Sequence, residues 1–154
     1  MYTISASLEV NPPGAAPALT QEQMWLGLVM KAENALPFVK AMEDCRVLER
    51  YTDGFLREIK LRGVRMTERI TFAPPVEVLF ERVDAQGYDG WITNVISESA
   101  RGLMLTFTFS VGFPNTASGS ADEKRQGDAV KASYLSAIET TLDATRRLAA
   151  TGKL

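Results

Sequence analysis

The chain has 154 residues, 45% of them apolar, and 17 basic side chains against 19 acidic ones leave a net charge of -2. That length supports one domain, spanning 1–154, with a substantial core, and the charge is too small to draw the protein onto nucleic acid. There is no histidine and only one cysteine, Cys45. These counts exclude an imidazole general base, a Cys-His pair, an internal disulfide and a credible zinc ligand set.

No calcium-loop spacing, dinucleotide-binding GxGxxG or phosphate-binding GxxxxGK[ST] occurs, so the expectation is no metal and no cofactor. The start, MYTISASLEV, lacks the charge pattern of a secretory signal. The most apolar window, MWLGLVM at 24–30, is too short to insert in a membrane. The expected location is the cytoplasm.

Residues 3–10 alternate, with Ile4, Ala6, Leu8 and Val10 on one face, which predicts a half-buried strand. NPPGAAPA at 11–18 is turn and loop chemistry. Thr20 with Gln23 forms a capping box for a helix over about 21–33, whose apolar face carries Met24, Trp25, Leu28, Val29 and Ala32. Pro37 should end it, and a second short helix is expected to carry Phe38 and Met42.

From Cys45 to Phe113 the alternation predicts strands near 45–52, 54–62, 64–73, 76–83, 89–98 and 103–113. Turn chemistry at Asp53-Gly54, Arg62-Gly63, Ala73-Pro74-Pro75, Gln86-Gly87 and Arg101-Gly102 separates them. Connections this short require antiparallel neighbours. Ser120 with Glu123 opens a long helix to about Ala150, with a stripe of Val130, Tyr134, Ala137, Ile138, Thr141, Thr145 and Leu148. The order is strand, two short helices, six strands and a long helix. A one-sided sheet needs a cover, so the expected architecture is α+β: a seven-stranded curved antiparallel sheet wrapped on the C-terminal helix.

Two charges interrupt the apolar faces. Arg57 falls in line with Phe55, Ile59 and Leu61, and Glu68 with Val64, Met66, Ile70 and Phe72. A two-residue turn at Arg62-Gly63 would set Arg57 directly opposite Glu68 on the inward face. Each charge then makes the other tolerable in the interior. The pair is either a structural ion pair or the polar end of a binding cavity, in which Arg57 would hold a ligand oxygen.

Phe107, Phe109, Met66, Ile138 and Tyr134 are further candidate ligand contacts from the same inward faces. The strand at 89–98 is ambiguous. Counting from Gln86-Gly87 turns Trp91, Thr93 and Val95 inward, whereas counting from Arg101-Gly102 turns Ile92, Asn94 and Ile96 inward. Trp91 is retained as a candidate contact. No set of catalytic residues stands out.

The element order, the stretch DCRVLERYTDGFLREI at 44–59, LTFTF at 105–109 and the terminal helix with Tyr134 and Arg147 resemble the AtaL-like family. That family lies in the START and Bet v 1-like (SRPBCC) superfamily of helix-grip folds. The resemblance implies a cavity between sheet and helix for a small apolar molecule, aromatic or polyketide-like in class. It leaves open a binding protein, a cyclase or dehydratase working in the same cavity, or a protein-interaction module. The first helices and the loop at 114–120 would flank the mouth.

Overall fold

A computed structural model describes residues 1–154. The elements are β1 (Tyr2–Glu9), α1 (Gln21–Glu33), β2 (Met42–Tyr51), β3 (Gly54–Leu61), β4 (Val64–Ala73), β5 (Glu77–Asp84), β6 (Gly90–Ser99), β7 (Gly102–Val111) and α2 (Ala121–Ala150). The sheet is antiparallel throughout, in the order β1-β7-β6-β5-β4-β3-β2. The long jump places β1 beside β7, so the first strand closes the sheet against the last. No helix is long and apolar enough to cross a membrane.

The alternation does what it predicts. On the outer face of β1 and β7, hydroxyls pair across the strands: Thr3 with Ser110, Ser5 with Thr108 and Ser7 with Thr106, at 2.9, 2.9 and 2.7 Å. The opposite face supplies Leu105, Phe107 and Phe109 to the core. At α1 the capping box is complete, with Thr20 and Gln23 bonded in both directions. At α2 only half of the expected box forms. The Ser120 hydroxyl accepts from the Glu123 amide, while the Glu123 carboxylate accepts from Gly119 instead of Ser120.

One expected element is missing. The segment after Pro37 makes turns, not a second helix, and Met42 is already the first residue of β2. Pairing of Met42 with Leu61 draws the chain into the sheet early and leaves only four residues between Pro37 and β2, too few for a stable helix. Phe38 is buried nonetheless, at 2% exposure.

The helices cross closely at Gly27. A Cβ there would lie 2.5 Å from the Thr145 Oγ1 and 2.6 Å from its Cγ2. Thr145 is fully buried and its hydroxyl is bonded to the Thr141 carbonyl, so a β-branched side chain has little room to turn away. Gly27→Ala gains up to about 1 kcal/mol of helix propensity against an overpacking cost of about 1–3 kcal/mol. A net fall in melting temperature is the expected outcome. A rise would show that the two helices can separate without loss.

Candidate functional site

The long helix divides its apolar stripe between two tasks. Towards its C-terminal half, Ile138, Thr141, Leu142 and Thr145 are buried, and the Thr141 and Thr145 hydroxyls satisfy themselves on carbonyls four residues back, both at 2.8 Å. Nearer its N-terminus, Val130, Tyr134 and Ala137 instead face a cavity of about 260 Å³. The cavity lies between α2, the inner faces of β3 to β7 and the segment after α1, and most of its lining is apolar. Tyr134 lies flat on Phe109, with ring centroids 4.7 Å apart and planes 9° apart, and both rings line it. At the exposed end, Arg62 in the β3–β4 turn donates to the Ser133 hydroxyl of α2 at 2.6 Å.

Arg57 and Glu68 meet at the buried end. Arg62 and Gly63 both take positive φ, 49° and 80°, the geometry of a tight two-residue hairpin. That turn pairs Arg57 with Glu68. Their side chains are 4% and 2% exposed as residues. Arg57 Nη2 and Nε both donate to Glu68 Oε2, at 2.6 and 2.9 Å. Arg57 Nη1 donates to the carbonyls of Ala32 and Lys31, at 2.7 and 3.3 Å. These carbonyls belong to the last turn of α1 and have no helical partner, so a cation there suits both hydrogen bonding and the helix dipole.

This arrangement changes the chemistry expected of the pair. Arg57 is committed to Glu68 and to the end of α1. Glu68 concentrates its bonds on one oxygen, and Oε1 accepts from no protein group. Both residues line the cavity. The free acceptor is therefore on the carboxylate, and the guanidinium acts as its support.

Two further basic side chains share this end of the cavity and were not singled out from the sequence. Arg82 on β5 is brought beside Glu68 in register by a bulge that skips Val83. Its Nη1 donates to the Tyr88 carbonyl at 2.8 Å, while its buried Nε has no partner. Lys31 of α1 is 8% exposed. Its Nζ donates to Asn94 Oδ1 at 2.6 Å and sits over the Phe80 and Phe107 rings, 4.8 and 4.5 Å from their centroids. Burial, reinforced by the Arg57 charge and only partly offset by Glu68, lowers its pKa from the ordinary 10.5 to about 7. The sequence did carry a signal for each. Lys31 follows Met24 and Leu28 at helical spacings of seven and three, and Arg82 continues the inward series Val78, Phe80.

The expected contacts therefore separate. Arg57, Glu68, Met66, Phe109 and Tyr134 line the cavity together. Phe107 and Ile138 are packed in the core at 0% and 1% exposure and are not part of the cavity wall. Trp91 is 42% exposed on the outer face, which removes it from the interior. The reason is the β5–β6 connection: five residues separate Asp84 from Gly90, so Gln86-Gly87 is no two-residue hairpin and does not set the register. The Ser99–Gly102 pairing does, and it turns Asn94 and Ile96 inward, both buried, with Ile92 on the cavity wall. The outward basic residues of the β3–β4 hairpin are largely neutralised locally: Lys60 by Glu43 at 2.7 Å, Arg65 by Glu58 at 3.0 Å and Arg69 by Asp53.

A seven-stranded antiparallel sheet gripping one long helix around an apolar cavity defines a helix-grip protein. The family model for AtaL, acetylaranotin biosynthesis cluster protein L, matches residues 4–152, and the chain belongs to that family. No curated protein matches it. Among solved structures, the ZhuI aromatase/cyclase from Streptomyces sp. R1128 is 16% identical with a TM-score of 0.70, over 99% of each chain. TTHA0849 from Thermus thermophilus is 14% identical with a TM-score of 0.69, over 99% of this chain and all of that one. The di-domain aromatase/cyclase StfQ of the steffimycin biosynthetic pathway is 9% identical with a TM-score of 0.69, over 96% of this chain and 52% of that one. At these identities the likeness establishes the fold.

Proposed function

We propose that the protein binds a small, largely apolar and oxygen-rich molecule, of aromatic or polyketide type, between the sheet and α2. The observation that carries this reading is the cavity's two-ended character. Its walls are apolar, with Phe109 and Tyr134 stacked along one side, and Lys31, Arg57 and Arg82 share the cavity with its single carboxylate, Glu68. A few placed polar groups in an apolar pocket orient a ligand. Two arginines and a buried amine beside one carboxylate at this end of the cavity favour a ligand rich in carbonyl, carboxylate or phenolate oxygens, and Glu68 Oε1 would take a ligand hydroxyl.

The likeness to structures named as aromatase/cyclases favours a second reading, in which the same cavity folds a polyketide chain for ring closure. Both readings require occupancy of the cavity, which a cavity-filling variant tests. Ala137 lines the cavity from α2, and Ala137→Trp would fill part of the space. Binding of a hydroxynaphthoic acid, followed by its own fluorescence, is expected to weaken at least about tenfold, the equivalent of roughly 1.4 kcal/mol. Trp91→Ala, on the outer face, should leave it unchanged. Equal affinity in wild type and Ala137→Trp, with both proteins folded, would place the ligand elsewhere.

A further inference from the structure

Lys31 is a buried amine with no carboxylate bonded to it. Its only hydrogen-bond partner is the neutral Asn94 side chain, at 2.6 Å. Two aromatic faces flank it, and one of these, Phe80, belongs to the cavity wall together with Lys31 itself. The charged groups sharing this cavity end are Arg57 from β3, Glu68 from β4 and Arg82 from β5. β6 presents the neutral Asn94, β7 presents Phe107, and α2 faces the cavity with Tyr134. A lysine solely for charge balance would face the carboxylate; here Arg57 takes Glu68 Oε2 and Lys31 does not.

We propose that Lys31 is a carbonyl-reactive amine, which condenses reversibly with a ketone or aldehyde carbon of the ligand to form an imine. A desolvated lysine beside another cation is held as the free amine, the nucleophilic form. The lowered pKa, about 7, leaves much of Lys31 neutral near pH 7. The nitrogen lone pair forms the C–N bond, and the carbonyl oxygen takes up a proton to give the carbinolamine. Loss of water then breaks the C–O bond. Overall, neutral amine, carbonyl compound and one proton give a protonated imine and one water. The cation that results occupies a place already provided with two aromatic faces and with Glu68 nearby. An imine also acidifies the neighbouring carbon, so an enamine becomes accessible to a ligand carrying adjacent carbonyl groups. This inference rests on the proposal that an oxygen-rich ligand occupies the cavity, and deepens it by assigning the reacting class: ketones and aldehydes.

The test is reductive trapping on the folded protein. Benzaldehyde with cyanoborohydride at pH 7 converts an imine to an N-benzyl lysine, read by peptide mass mapping. Lys40, Lys60, Lys124, Lys131 and Lys153 are the internal controls. A lysine of ordinary pKa near 10.4 is less than about 0.1% neutral at pH 7, so Lys31 is expected to be labelled at least about tenfold faster than any of the five. Raising the pH to 9 should narrow the difference. Lys31→Arg keeps a cation in place and should abolish the fast adduct, with unchanged circular dichroism reporting an intact fold. Failure of the Lys31 peptide to label while surface lysines do would overturn the inference, as would labelling only in denaturant. Hydroxynaphthoic acid binding separates the two ideas. Cavity-dependent binding without a Lys31 adduct removes the imine alone. A fast Lys31 adduct without cavity-dependent binding keeps the amine and removes the proposed ligand class.

Discussion

Arg57→Met is expected to destabilise the fold by about 3–5 kcal/mol, the cost typical of breaking a buried ion pair by removing one partner. Glu68 would be left 2% exposed with neither of its two guanidinium bonds. The carbonyls of Lys31 and Ala32 would lose their side-chain donor as well. At about 2–4 °C per kcal/mol for a chain of this size, the melting temperature should fall by roughly 10 °C. Glu68→Leu strands Arg57 less completely, since the two carbonyl acceptors remain. In the double variant neither charge is buried alone, and the loss should be well below the sum of the singles. Additive effects would show that the two side chains are energetically independent. The double variant also addresses the ligand. If it recovers stability but binds hydroxynaphthoic acid as tightly as wild type, the pair only maintains the fold.

Stability is expected to rise with pH between about 7 and 10.5, through Lys31. The folded protein releases this proton near pH 7, whereas an unfolded lysine keeps it to about 10.5. Across that window the unfolded state binds more protons, so raising the pH favours the folded state. Below pH 7 both states are protonated and the full cost of burying the cation is felt. Relative to Lys31→Met, wild type should gain about 3 kcal/mol between pH 6.5 and 9.5, from roughly 1.4 kcal/mol for each pH unit inside the window. Urea unfolding of both proteins at the two pH values measures it. Comparison with the variant removes contributions from every other titrating group common to both. Parallel pH profiles would mean that Lys31 carries its proton equally well in both states.

Both results depend on residues that the sequence exposes to very different degrees. Arg57 and Glu68 were legible because three local facts coincide: an Arg-Gly turn, an alternation of period two, and two charges at equal distances from that turn. Within one hairpin these fix the register, and a slip by one residue would turn a charge outward. The helix stripe and the hydroxyl ladder of β1 and β7 follow from period in the same way. Trp91 failed for the converse reason. Its strand is bounded by one tight turn and one five-residue loop, and a loop transmits no register. A second helix failed because β2 claims Met42 for the sheet, which leaves only four residues after Pro37.

What the sequence determined by itself is local and periodic: seven strands, two capped helices, the inward faces of every strand but β6, the Arg57–Glu68 pairing and the absence of histidine chemistry. Three things were decided only by the tertiary structure. One is the division of the α2 stripe between cavity and core, with Tyr134 on one side and Ile138 on the other, because a helix face does not record how far the sheet stands from it. Another is the use of Arg57 to hold the end of α1 and leave an oxygen of Glu68 free, because those carbonyls lie 25 and 26 residues away in the chain. The last is the burial of Lys31 against Asn94, 63 residues apart. The energies of these groups come from desolvation and from neighbours contributed by separate elements, and no local periodicity encodes which elements will meet.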